Sequence, residues 1–340
     1  MDPLYLNKQR IAELLPMQEC ISVMERMFRA LAAGECLQPL RSLMRLPDNS
    51  GLMGMMPGYA QGPAAGSPAL TATGSPAGVM AIKVITIFPA NHDTSFPSHQ
   101  GVVILFDANN GSPLLLLDAS EITAIRTAAA SAVATRLLAR EDAQRLAIIG
   151  SGEQAARHIE AILLVRPIHQ INLWSRNEAH ASELARNIAE RYDIPIRISP
   201  NALEAVKGAD IICTTTASKE PVVCGEWISP GAHINAVGSS TPAARELDTA
   251  AIQRSRLFTD RYESLFNEAG DFLIPKQEGA ITEAHVKGEL SEVLTGTKTG
   301  REHPDDITCY KSLGIAMEDL FAAWHIYNKI KGSDPELLPT

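Results

Sequence analysis

The sequence predicts an α/β protein built from a doubly wound parallel sheet and a second, discontinuous α/β domain. Three observations carry this. The chain has 340 residues, more than one ordinary core accommodates, so two domains are expected. Between residues 146 and 259, short apolar runs alternate with helix-like stretches, the pattern of parallel strands joined by crossover helices. A strongly periodic helix over 310–330 follows that alternation, so it is expected to return and pack on the first part of the chain.

The elements follow in order. Pro16 to Gly34 reads as an amphipathic helix, with Ile21, Met24, Met27, Phe28 and Leu31 at helical spacing. Over 38–118, short apolar runs such as "VMAIKVITIF", "GVVILFDA" and "PLLLLD" are separated by turn residues, which predicts a sheet. Between them, 60–78 is rich in Gly, Pro, Ala and Ser and reads as a loop, either a lid or inert surface. Residues 120–140 are Ala-rich without Gly or Pro and predict a long helix with Ser120 as its N-cap. Strands are then expected at 146–149, 170–174, 195–198, 210–215, 232–237 and 256–259. Helices are expected at 153–165, 178–192, 201–207 and 248–254. The expected domains are 1–122, completed by the helix 310–332, and 123–309.

Composition narrows the function. Apolar residues make up 45% and charged residues 20%, as in a globular, soluble chain. A formal net charge of −9 argues against nucleic acid and anionic membrane as partners. No apolar run approaches the roughly 20 residues that span a bilayer, and the N-terminus lacks a signal pattern. Five scattered cysteines without CxxC spacing predict reduced thiols in a cytoplasmic protein. The nine histidines form no HxxxH or Cys/His cluster, so no metal site is expected.

The clearest motif is "LAIIGSGEQA". Gly150, Gly152 and Ala155 fit G-x-G-x-x-G/A directly after a strand and at the start of a helix, the Rossmann dinucleotide context. Gly150 permits the tight turn, Gly152 lets the backbone approach a pyrophosphate, and Ala155 allows close helix–strand packing. Ser151, Glu153 and Gln154 complete the turn and the helix N-terminus that would meet the phosphates. The next strand, "INLW", ends in Ser175-Arg176-Asn177 rather than in the carboxylate that usually bonds both ribose hydroxyls of NAD. Arg176 can stack on adenine and pair with a 2′-phosphate, while Ser175 and Asn177 add hydrogen bonds. The expected cofactor is NADP(H), with NAD(H) still possible. The plain alternative is that Arg176 only caps the strand at the surface.

Taken together, "QPLRS", "MPGY", "PSHQ", "ITAIRTAAASAVAT", "GSGEQA", "KEPVVCGEWISPGAHINAVGSS", "EAGDFL" and "KSLGIAMED" resemble the ornithine cyclodeaminase/μ-crystallin family from about residue 4 to about 330. The resemblance implies a homodimer joined through a first, substrate-binding and dimerisation domain. It also implies an active site between that domain and the Rossmann domain, and chemistry through an imine next to a carboxylate.

It further implies roles for individual residues. Lys83 stands inside the apolar run "MAIKVITIF", where a lysine is costly unless paired or functional. By resemblance it faces the substrate carboxylate and imine. Its plain alternative is an edge-strand lysine with its head in solvent. Arg41 matches the family's substrate-carboxylate arginine, with Arg45 nearby read as a surface residue. Arg126, one charge in an Ala-rich helix, is expected near the substrate carboxylate and the cofactor. Its alternative is an inter-helix salt bridge. Ser98 and His99 align with residues near the nicotinamide, and Thr127, Thr216, Ala217 and Val237 are expected to line the cofactor. Met56, Ser240, Glu268 and Ser312 are expected in the substrate pocket, with Asp271 beside Glu268 and with Leu313 on the cofactor side.

One departure narrows the reaction. Ornithine cyclodeaminases carry an aspartate where this chain has Ser240, and serine cannot act as a carboxylate base. The μ-crystallin-like members also have serine there. The expected activity is therefore NADPH-dependent reduction of small cyclic ketimine carboxylates. Rival readings are an alanine-type amino-acid dehydrogenase, an ornithine cyclodeaminase, and a non-catalytic NADPH-binding protein.

Overall fold

The computed structural model describes residues 3–61, 78–333 and 336. Most of the expected loop at 60–78 lies outside the described residues. The chain divides into two compact units: Met1–Arg126 with Ile315–Thr340, and Thr127–Gly314.

The first unit opens with β1 (Leu4–Leu6), α1 (Lys8–Leu14) and α2 (Met17–Ala32). The sheet strands β2 (Cys36–Leu37), β3 (Ser42–Arg45), β4 (Leu52–Gln61), β5 (Gly78–Ile87), β6 (His99–Asp107) and β7 (Pro113–Asp118) follow. α3 (Ala119–Leu138) then runs through the division between the units. Its N-cap differs from expectation. Asp118, not Ser120, accepts the N–H of Glu121 at 3.0 Å, while the Ser120 hydroxyl donates to the His99 carbonyl. The sheet order is β1-β7-β6-β5-β4-β2, with β3 also on β4; β1 is parallel to β7 and the remaining pairs are antiparallel.

The two faces of this sheet differ sharply. Met56, Lys83, Val103, Leu117 and Leu6 form one cross-strand row, all buried. The last helix, α11 (Ala316–Ser333), packs on β4, β5, β6 and β7, and α2 packs on α11. The opposite face carries Pro57, Ile82, Ile104, Leu116 and Tyr5 in register, flanked by the row Tyr59, Met80 and Phe106. These apolar residues are half-buried or exposed; Tyr5 is 58% exposed.

The second unit alternates strand and helix: β8 (Arg145–Ile149), α4 (Glu153–Leu163), β9 (Gln170–Trp174), α5 (Glu178–Ala189), β10 (Ile196–Ile198), α6 (Ala202–Val206) and β11 (Ile211–Thr214). It continues with β12 (His233–Ala236), α7 (Thr249–Arg254), β13 (Ser255–Thr259), α8 (Tyr262–Glu268), α9 (Gly270–Gln277), β14 (Val286–Glu289), α10 (Leu290–Leu294) and β15 (Ile307–Lys311). The sheet is parallel throughout, in the order β10-β9-β8-β11-β12-β15-β13-β14. One core cluster runs through Ile148, Ala155, Ile159 and Ile171, a second through Ala147, Ile234, Leu257 and Phe272.

Two strands, β14 and β15, extend the sheet beyond the six expected. β15 also corrects the helix expected over 310–330. Tyr310 and Lys311 end a strand inserted between β12 and β13, Gly314 turns at φ +70°, and the helix begins only at Ala316. The apolar spacing of "YKSLGIAM" imitates a helix because a buried strand and a buried helix follow each other without a polar break. No helix among the described residues is long and apolar enough to cross a membrane.

Candidate active site

In the first unit the site is a buried charge cluster. Lys83 is 3% exposed at the centre of β5, hydrogen-bonded to β4 on one side and β6 on the other. It is therefore neither an edge residue nor a solvent-facing one. Its ammonium lies 2.7 Å from Asp319 Oδ2 and donates to Thr123 Oγ1 at 3.4 Å, which uses two of its three donors. Arg126, 4% exposed, donates from Nε to Asp319 Oδ1 at 3.1 Å and from Nη1 to Glu318. The inter-helix ion pair, the plain reading of Arg126, is thus present, and it leaves Nη2 outside these two contacts.

Burial, and then the Arg126 charge, push Lys83 down to about 8 against the pull of Asp319. Burial also opposes the charge of Arg126, but Asp319 and Glu318 outweigh it and hold the guanidinium above its ordinary value. Arg41, half-buried ahead of β3, adds to the positive surroundings of Lys83, whereas Arg45 is exposed. Met56 is the cross-strand neighbour of Lys83. Ser98 and His99 lie at the start of β6, with Ser98 Oγ 3.1 Å from His99 Nδ1.

Glu318 and Asp319 are not among the residues expected in the site from the sequence. The signal was available: two acids in "GIAMEDLFAAW" are as out of place among apolar residues as Lys83 is in its strand. Both are essentially fully buried in the first turn of α11.

In the second unit the glycine turn has the geometry a dinucleotide needs. Gly150 takes φ +124°, and a Cβ there would meet Thr215 at 2.7 Å, so only glycine fits. Gly152 is the N-cap of α4 with no side-chain cap, and a Cβ on it would meet nothing within 4 Å. The helix N-terminus is therefore open to an anion. Ala155 is buried against the β8 strand. Ser151 and Glu153 flank this turn, and Gln154 follows in the first turn of the helix, with its carbonyl 2.7 Å from His158 Nδ1. Ser151 Oγ donates to Ser175 Oγ at 2.8 Å, Arg176 is exposed, and Asn177 caps α5 through the N–H groups of Ala179 and His180.

The loops after β11 and β12 carry Thr216, Ala217, Val237 and Ser240. They are tied together by Glu246, which carries no signal in the sequence. Glu246 accepts from Thr214 Oγ1, from the N–H and Oγ1 of Thr216, and from the N–H of Gly238, all within 2.7 Å. Asp271 in turn accepts the N–H groups of Glu246 and Leu247 at 3.0 Å and pairs with Lys311 at 2.9 Å. Asp271 is thus tied to backbone and to Lys311, and Glu268 is half-buried at the end of α8. Ser312 and Leu313 are buried after β15; Asp260 accepts the N–H of Leu313 at 2.8 Å. Thr127, also buried, follows Arg126 in α3.

Comparison with known proteins gives this geometry a context. The profile of the ornithine cyclodeaminase/mu-crystallin family matches residues 1–334. The ketimine reductase mu-crystallin of Mus musculus is 38% identical over 295 residues, 87% of this chain and 86% of the mouse protein. The structure of Thermococcus litoralis Δ1-pyrroline-2-carboxylate reductase, in complex with NADH and L-proline, superposes with a TM-score of 0.90 at 36% identity, covering 97% of this chain and 98% of the other. An archaeal alanine dehydrogenase dimer with bound NAD superposes with a TM-score of 0.88 at 28% identity, covering 98% of each chain.

Proposed function

We propose, from the premise that the chain belongs to the ornithine cyclodeaminase/mu-crystallin family, that it reduces small cyclic ketimine carboxylates. The substrates are Δ1-pyrroline-2-carboxylate, giving L-proline, and Δ1-piperideine-2-carboxylate, giving L-pipecolate. The observation that carries the reading is the buried pair Lys83 and Arg126, which keeps donors outside its acid partners: one N–H of Lys83, and Nη2 of Arg126. With Arg41 close by, these cations suit one carboxylate next to a C=N bond. Ser240 supports the same reaction. An incoming imine needs only hydride and a proton, and no carboxylate base at that position.

The glycine turn fits a dinucleotide: Gly150 makes a turn only glycine can make, and Gly152 leaves the α4 N-terminus open. When bound, a reduced nicotinamide supplies the hydride. Arg176 and Ser175 would hold a 2′-phosphate, which favours NADPH over NADH; Asn177 would assist less than its sequence suggested, because its side chain caps α5. Thr216, Ala217 and Val237, on loops fixed by Glu246, would line the nicotinamide. Lys83, Arg126 and Arg41 hold the substrate carboxylate and so orient the imine.

NADPH oxidation with each imine is the direct test. Absence of turnover with both overturns the reading. The likeness to an alanine dehydrogenase favours a second one, in which pyruvate with ammonia or methylamine would be turned over and the cyclic imines would not.

A homodimer joined through the outer face of the first-unit sheet completes the proposal. Support comes from the registered apolar rows, Pro57-Ile82-Ile104-Leu116-Tyr5 and Tyr59-Met80-Phe106, on a face left half-exposed. Sedimentation should give a dimer, and Met80→Asp should weaken it.

A further inference from the structure

We infer that Asp319 is a positioning residue: its carboxylate, held between Lys83 Nζ and Arg126 Nε, sets where the remaining donors of both cations point. The inference rests on the reading above, that Lys83 and Arg126 meet the substrate. The geometry is specific. One oxygen of Asp319 is 2.7 Å from Lys83 and the other 3.1 Å from Arg126, so a single side chain spans β5 and α3 from the first turn of α11.

That turn is pinned. The Ile315 N–H donates to Glu318 Oε1 at 3.3 Å, and the Met317 N–H donates to Gln38 Oε1 at 3.2 Å. These bonds hold the backbone that carries the Asp319 carboxylate. Two buried like charges repel strongly in a low-dielectric interior, and Asp319 is the group that touches both.

A buried acid is a poor device for stability alone, because apolar residues of similar volume serve as well or better. Asp319 differs from Asp271, another buried acid paired with a buried lysine, in touching two cations. Among the described residues, the charged groups that act on Lys83 include Arg126 on α3, Arg41 ahead of β3 and Asp319 on α11, while Glu318 accepts from Arg126. Burial and the two arginines favour the neutral amine, and Asp319 opposes them.

The test compares Asp319→Asn with Glu318→Gln. The titration of Lys83 is read in the ligand-free protein by NMR of lysine labelled with 13C at Cε, the Lys83 signal being identified by its loss in Lys83→Arg. In Asp319→Asn the midpoint falls by about one unit, and the basic limb of kcat/KM moves to lower pH with it. In Glu318→Gln both move by less than half as much. An unchanged midpoint in Asp319→Asn overturns the proposal, and so does a loss of kcat/KM that is uniform across pH. If Asp319→Asn does not fold, Asp319→Glu carries the test. It should keep the midpoint near that of the native protein and lower kcat about tenfold, and native kcat there overturns the proposal. The NMR titration needs no substrate, so failure to turn over any imine removes the proposed reaction without moving this result.

Discussion

Two lysines are buried among the described residues, each on an interior strand of a sheet and each against an aspartate, and they are not equivalent. Lys311 is fully buried on β15. It pairs with Asp271 at 2.9 Å and donates to the Ala236 carbonyl at 3.2 Å, and Asp271 spends its other oxygen on two backbone N–H groups. Lys83 shares Asp319 with a second cation, Arg126, and has Arg41 nearby. The first arrangement is a closed strut. In the second, the acid is shared with another cation whose Nη2 lies outside its two acid contacts, an arrangement that suits an anion. Burial and an acid partner are common to both lysines; the second cation on the same acid sets Lys83 apart.

The largest expected effect tests this division directly. Lys83→Met should lower kcat/KM by about 10³ while Asp319 keeps Arg126 as a partner and the fold survives. Lys311→Met should cost about 3 kcal/mol of stability, because Asp271 is left buried without a counter-charge. Steady-state rates and thermal unfolding of both variants check this, and the comparison breaks if the two patterns are exchanged.

Next in size is the network around Lys311. Glu246→Gln would turn an amide N–H toward groups that are themselves donors, so the Kd for NADPH, read by its fluorescence, should rise roughly tenfold or more. Unchanged affinity would mean that the Glu246 clamp does not shape the cofactor loops.

The pH profile sharpens the same contrast. Lys83 titrates near 8, so its charge is present below that value and lost above it. The kcat/KM should therefore fall toward tenfold per unit on the basic side. Lys83→Arg should remove that limb, since a guanidinium keeps its proton.

The smallest effect lies farthest from either lysine. Arg176→Ala should raise the KM for NADPH about fivefold to tenfold and leave that for NADH nearly unchanged. Equal changes for both cofactors would remove the 2′-phosphate reading.

Lys83 was legible in the sequence because a charge interrupts an apolar strand, and the glycine turn because strand, motif and helix stand in order. Asp319 and Glu318 gave the same kind of signal from inside an apolar helix. Glu246 gave none: "AARELD" reads as a solvated stretch, and its burial follows from donors on two distant loops. The strand β15 was hidden for another reason. "ITCYK" runs into the apolar start of α11, so length and periodicity alone could not divide them.

That junction has a consequence in time. Residues 307–311 supply an interior strand of the parallel sheet, and residues 316–333 supply the helix that covers the other sheet and neutralises Lys83 and Arg126. Both units thus wait for the same short segment, which is made after the strands it completes and covers. Until it emerges, one sheet lacks its filler between β12 and β13, and the other holds two cations without their acids. A nascent chain that stalls before this segment is left with two unfinished cores at once, and is open to proteolysis in both.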